Sequence, residues 1–95
     1  MELSALQSVI ADTFLERDQR RGLPATVAHL AEEVGELAKA ARKGGPQEQL
    51  HELGDVLAWL ASLANQLGLS LDEAAARFAA GCPTCASKPC SCPFI

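Results

Sequence analysis

Two short acidic motifs hold the residues best suited to chemistry: Glu33-Val-Gly-Glu36 and, further along, Glu52-Leu-Gly-Asp55. In each the acids stand three apart, which on a 3.6-residue helical turn places them on nearly one face. If the two stretches form neighbouring helices, four carboxylates converge. An oxygen-only, anionic setting suits a hard divalent cation, Mg²⁺ above all, with a substrate's phosphates completing the shell. The blander reading is a solvated face, which is what acids at such spacing on alanine-rich helices usually form. Against it, Glu52 and Asp55 share their side of the second helix with Val56, Trp59 and Leu63. Carboxylates among apolar groups are costly without a cation or cationic partner.

Positioning those acids takes two long helices and a tight connection. Ser4 to about Arg20 reads as a first helix, with Leu6, Ile10 (or Val9), Phe14 and Leu15 at amphipathic spacing. Its end is basic, Arg17, Arg20 and Arg21 preceding Gly22, as a helix C-terminus favours. Pro24 suits the first turn of a second helix that runs to about Lys43 and stops at Gly44-Gly45. Pro46 opens a third helix ending at Leu67 before Gly68, and Ser70 with Glu73 makes a capping box for a short fourth helix ending near Ala80. Pro83, Pro89 and Pro93 forbid further long helix. On the second helix, Leu30, Val34, Leu37 and Ala41 form the expected apolar stripe, with His29, Glu33, Glu36 and Ala40 beside it. On the third, Leu50, Leu53, Leu57, Leu60 and Ala64 form one stripe. The opposite side carries Glu48, Glu52, Asp55, Val56, Trp59 and Leu63, so both sides should be covered.

A chain of 95 residues is one domain with a thin core unless it pairs with copies of itself. Rich in Ala and Leu, with one Trp, three Phe and no Tyr, it has few residues that favour strands. The expected class is all-α: a bundle of about four helices over residues 1–80, assembled as a homodimer or homotetramer, followed by a Cys-rich tail over 81–95. Twelve acidic against eight basic residues give a net charge of −4, which argues against a nucleic-acid polymer as partner. Met1 to Ile10 lacks the pattern of a signal peptide, and no stretch approaches the roughly 20 apolar residues of a membrane span. The expected location is cytoplasmic. In a reducing cytoplasm, four cysteines crowded into one short tail point to metal before disulfides.

His29-Leu-Ala-Glu-Glu-Val-Gly-Glu-Leu-Ala-Lys-Ala-Ala-Arg-Lys43, followed by Glu52-Leu-Gly-Asp-Val-Leu-Ala-Trp-Leu-Ala-Ser-Leu-Ala-Asn65, resembles the MazG-like family of nucleoside triphosphate pyrophosphohydrolases. The family's Glu-x-x-Glu, gap, Glu-x-x-Asp pattern is met by Glu33, Glu36, Glu52 and Asp55, with Gly35, Gly54, Leu37 and Val56 also in agreement. The resemblance spans about residues 24 to 75. It implies an all-α, Mg²⁺-dependent enzyme, built as a dimer or a dimer of dimers, that cleaves between the α and β phosphates to release a nucleoside monophosphate and pyrophosphate. Glu33, Glu36, Glu52 and Asp55 would be the metal ligands, one of them or Glu32 acting on the attacking water. Phosphoribosyl-ATP and dCTP pyrophosphohydrolases share the core, so substrate identity does not transfer. An alternative from another class is a non-catalytic helical module whose zinc-binding tail holds a partner.

Further substrate-binding candidates are Lys39, one turn beyond Glu36 and able to reach a phosphate, and Trp59, able to stack on a base or to serve as core. Asn65 matches an Asn often seen at this place in the family. His29, one turn before Glu33, reads better as a surface histidine than as a partner of the acids. In many relatives a basic run follows the last helix; here Arg77 is the only cation in that helix, and Gly81-Cys-Pro-Thr-Cys85 falls where the run would be. Phosphates would then be held by Arg77, by Lys39, by Arg17 and Arg20, or by a second subunit. In the tail, Cys82-Pro-Thr-Cys85 has the two-residue gap of a zinc knuckle, and Cys90-Ser-Cys92 is a tighter pair four residues on. Structural Zn²⁺, a flexible or disulfide-forming tail, and an iron–sulfur cluster are the three readings.

Overall fold

A computed structural model describes residues 1–94, so Ile95, the last residue of the expected tail, lies outside it. The chain is all-helical, with no strand among the described residues: α1 (Leu3–Arg21), α2 (Leu23–Lys43), α3 (Pro46–Leu67) and α4 (Leu71–Ala76). Each boundary has a local cause. Gly22 alone joins α1 to α2, and its φ of 91° is a left-handed conformation that glycine adopts without strain. Pro24 sits in the first turn of α2 and Pro46 in that of α3, where a missing N–H costs nothing. Gly68 closes α3 in the αL conformation. The Ser70 side chain caps α4 by accepting from the Glu73 N–H at 3.2 Å.

The fourth helix is shorter than its sequence suggests. It ends at Ala76 rather than near Ala80, and the chain tightens into successive three-residue turns, Phe78 N–H to Ala75 O at 3.0 Å and Ala79 N–H to Ala76 O at 3.1 Å. Residues 72–80 are all exposed, so no packed face sustains a longer helix.

Helix α3 packs against both α2 and α1. The mixed side is among the surfaces it uses: Asp55, Val56, Trp59 and Leu63 are half-buried, beside buried Ala61 and Ser62. The leucine side, also expected to be covered, faces outward in the single chain, Leu50 being 71% exposed and Leu53 48%, with Leu57 and Leu60 close behind; of that stripe Ala64 alone is buried. On α2 the expected stripe holds in part, Leu30 and Leu37 being half-buried. Val34 and Ala41 are exposed, while Ala40, from the acid-bearing stripe, is buried. Close helix approach favours small residues at the contact, in keeping with Ala40 on α2 and Ala61, Ser62 and Ala64 on α3 being the buried ones. On α1, Ile10 is buried, Leu6 and Leu15 are half-buried, and Val9 stays exposed.

Polar side chains tie the elements where apolar packing is thin. Gln49 donates to the Ala40 and Gly44 carbonyls, both at 3.1 Å, satisfying the end of α2 from the first turns of α3. Buried Thr26 donates to the Gly22 carbonyl and accepts from Gln66 Nε2 at 2.7 Å, joining the α1–α2 bend to α3. Gln7 holds the α3–α4 connection with both ends of its amide: it donates to the Leu69 carbonyl at 2.6 Å and accepts from the Leu71 N–H at 2.9 Å. Its own carbonyl accepts from Asn65 Nδ2 at 3.1 Å. Gln7→Ala should therefore lower stability by about 1–2 kcal/mol, since each lost bond is worth around 1 kcal/mol net. Urea denaturation followed by circular dichroism measures it; an unchanged midpoint would mean the clasp contributes nothing.

Candidate active site

The Gly44-Gly45 turn sets the register of the α2–α3 hairpin. Glu33 stands eleven residues before Gly44 and Asp55 ten after Gly45; Glu36 stands eight before and Glu52 seven after. At 1.5 Å per residue on antiparallel helices, equal distances from a turn bring residues level. Glu33 thus faces Asp55, and Glu36 faces Glu52. All four line one open cavity of about 480 Å³, together with Glu32 and Gly35, which adds no side chain to it.

The crowding has an electrostatic signature. The Glu33 carboxyl is raised above its usual range, first by partial burial and then by the charges of Asp55, Glu52, Glu36 and Glu32. The two motifs thus act on one another across the hairpin. Such a donor set, all oxygen and anionic with its charges unneutralised, fits Mg²⁺. His51 also belongs here: its Nε2 lies 3.3 Å from Asp55 Oδ2, and His51, Glu52 and Asp55 can bring ligand atoms within 4.8 Å of one another. Sequence reading missed His51, although its place one turn before Asp55 on α3 was a usable signal.

Asp55 also lines a second, narrower cavity of about 230 Å³ between α1 and α3. Its walls include Phe14, Arg17, Arg21, Trp59 and Ser62. Trp59 is fixed in place: the His29 ring stacks on it at 4.6 Å with 13° between planes, and the Arg21 guanidinium lies 4.9 Å from its centre. His29 is therefore half-buried against Trp59 rather than a free surface histidine. Asp18, also on the wall, is 2% exposed; its Oδ1 pairs with Arg21 at 2.6 Å, while Oδ2 finds no hydrogen-bond partner among the described residues. Neither Asp18 nor Arg21 stood out in the sequence as a site residue.

The remaining candidates lie elsewhere. Asn65 Nδ2 donates to the Gln7 carbonyl at 3.1 Å, tying α3 to α1. The Arg77 guanidinium lies 5.0 Å from the ring centre of neighbouring Phe78, at the exposed end of α4. Lys39 is exposed on α2, and Arg20 pairs with Glu16 on the surface of α1. The cations that line a cavity beside the acids are Arg17 and Arg21.

The MazG nucleotide pyrophosphohydrolase domain model matches residues 21–82. The chain belongs to that family. The match covers the acid-bearing hairpin, α4 and the first tail cysteine, and leaves nearly all of α1 outside it. No curated protein is similar enough to match the chain. In this MazG domain no helix is long and apolar enough to cross a membrane, among the described residues.

Cys82, Cys85, Cys90 and Cys92 of the tail gather into one cluster, with sulfur atoms within 4.8 Å of one another. Hydrogen bonds with Ser91 pull the Cys85 thiol down to about 5, and the Cys85 and Thr84 backbone amides lower Cys82. Sharing hydrogen bonds with Cys90, Cys85 and Cys82 pushes Cys92 up to about 11.

The raised Glu33 carboxyl has a defined effect on stability. Its folded form holds a proton more tightly than its unfolded form, so this stabilisation is present below the ordinary value of 4.5 and is lost as pH rises through the folded value. Without divalent cations, Glu33→Gln should melt higher than the parent at neutral pH, and the difference should vanish below pH 4.5. Thermal melts in chelator across that range check this; a variant that melts lower at neutral pH contradicts it.

Proposed function

We propose that this MazG domain hydrolyses nucleoside triphosphates to a nucleoside monophosphate and pyrophosphate, using Mg²⁺ held by Glu33, Glu36, Glu52 and Asp55. The observation that carries the reading is the convergence of both acidic pairs on one cavity, where their charges act on Glu33. When bound, Mg²⁺ offsets the phosphates' negative charge and makes a water a stronger acid. Glu32, which lines the same cavity outside the two motif pairs, is the acid best placed to orient the attacking water. Arg17 and Arg21 supply the positive charge that the missing basic run would give, at the cavity that shares Asp55 with the acids.

The nucleoside occupies that narrower cavity. Trp59 and Phe14 offer apolar walls, and Asp18 Oδ2, a buried acceptor without a partner, accepts from a base amino group or a sugar hydroxyl. Base and sugar preference follow from which nucleotide satisfies Asp18.

The active form is a homo-oligomer. The outward leucines of α3 and exposed Val27 and Val34 of α2 leave an apolar surface that one copy cannot cover. The radius of gyration, 15.5 Å, exceeds the roughly 13 Å of a compact domain of this size, as expected of one layer of a larger bundle.

With Mg²⁺, pyrophosphate should be released from at least one nucleotide of a panel of canonical, non-canonical and deoxy triphosphates and phosphoribosyl-ATP. Chelator should abolish release. Glu36→Gln and Asp55→Asn should each lower kcat/KM by roughly a hundredfold or more while retaining helical circular dichroism. Emission from Trp59, the lone tryptophan, should change as the substrate binds. A folded protein that releases pyrophosphate from none of them would instead be a non-catalytic helical interaction module.

Leu53→Glu combined with Leu57→Glu should yield monomers from an oligomeric parent by light scattering. A parent of monomer mass would refute the assembly.

A further inference from the structure

We propose that Cys82, Cys85, Cys90 and Cys92 bind one structural Zn²⁺ ion in a tetrahedral all-thiolate site, which holds residues 81–92 as a knuckle. The site shares no residue with the carboxylate cavity and stands independently of the proposed hydrolysis.

The spacing of the sulfur atoms is the first argument. Zn–S bonds of about 2.3 Å in a tetrahedron put sulfur atoms about 3.8 Å apart along each edge. Cys82 Sγ and Cys92 Sγ are 3.8 Å apart, Cys85 Sγ and Cys90 Sγ are 3.9 Å apart, and all four fall within 4.8 Å of one another. A multi-iron cluster would hold its cysteine sulfurs farther apart, because several iron and sulfide atoms stand between them.

The backbone supplies the second argument, for it is folded around the sulfurs. Cys82 N–H donates to the Ser87 carbonyl at 3.1 Å and Ala86 N–H to the Cys82 carbonyl at 2.6 Å, closing a loop on the Cys82-Pro-Thr-Cys85 turn. Ala86 takes a positive φ of 59° at the exit from that turn. The Ser91 N–H then points at Cys85 Sγ (3.3 Å) and the Cys92 N–H at Cys90 Sγ (3.4 Å). Amides aimed at sulfur stabilise thiolate ligands as second partners of a metal site. Gly81 fits the same fold: its φ is 102°, and a Cβ there would lie 2.7 Å from the Ser87 carbonyl oxygen and against the Lys88 side chain.

The third argument concerns what else could hold this loop. Residues 83, 84, 86 and 88–91 are exposed, and Phe94 is fully so; among the described residues no apolar core lies under the tail. Small segments without a core fold on metals or disulfides. A single metal ion would use all four thiols at once, which accounts for their gathering within 4.8 Å of one another.

The test uses the full chain purified under reducing conditions. About one zinc per chain should be found by elemental analysis, and Co²⁺ exchange should give the intense visible bands of tetrahedral thiolate cobalt. Cys85→Ser and Cys92→Ser should each cut zinc content at least tenfold and remove the cobalt bands, with helical circular dichroism retained. Iron in place of zinc, two disulfides with no metal, four free thiols with no metal, or zinc that persists in the Cys85→Ser/Cys90→Ser double variant would overturn the site. None of these readouts depends on nucleotide hydrolysis, so failure here leaves the carboxylate site untouched.

Discussion

Repulsion among the carboxylates of α2 and α3 is the constraint on which the rest of the structure turns. The hairpin holds Glu33, Glu36, Glu52 and Asp55 about one cavity, where partial burial first and the neighbouring charges second make Glu33 resist ionisation. Nothing in that arrangement favours the folded chain by itself. It persists because stabilising contacts lie elsewhere: the Gln49 clasp on the turn, the Thr26–Gln66 bond at the α1–α2 bend, and Gln7 binding α1 to the start of α4. A site strained by like charge and supported by neutral polar clasps is arranged to gain from a cation.

The same hairpin explains the shape of the single chain. Because α3 gives its acid-bearing side to α1 and α2, its leucines are left outside. A helix with two apolar sides cannot bury both against α1 and α2 alone. The thin core, almost all alanine apart from Ile10, is the direct result.

Much of this was legible in the sequence. Pro46 and Gly68 bound α3 as residue chemistry requires, and the two motifs, read at three-residue spacing, come together as a quartet. That the acid-bearing side of α3 is covered was legible from Val56, Trp59 and Leu63; that its most buried positions are Ala61 and Ser62 was not, since hydropathy ranks Leu53 and Leu57 above them while close helix packing favours small residues. Asp18 and Arg21 escaped notice because their meaning depends on α1 crossing Trp59, a contact no local pattern encodes. The Asn65 contact with α1 was hidden for a related reason: its partner is a backbone carbonyl 58 positions away. The length of α4 was overestimated because alanine content speaks for helix but not for what packs against it.

The two-glycine joint between α2 and α3 also limits how such a chain can diverge. Each residue added within either helix advances it by about 100°, so one extra position between a motif and the joint would swing a carboxylate pair out of the quartet. Added length is harmless only where it bulges out as a loop at the joint itself. Related sequences with a longer gap between their acidic pairs should carry the excess there, leaving the helical stretches on either side at constant length.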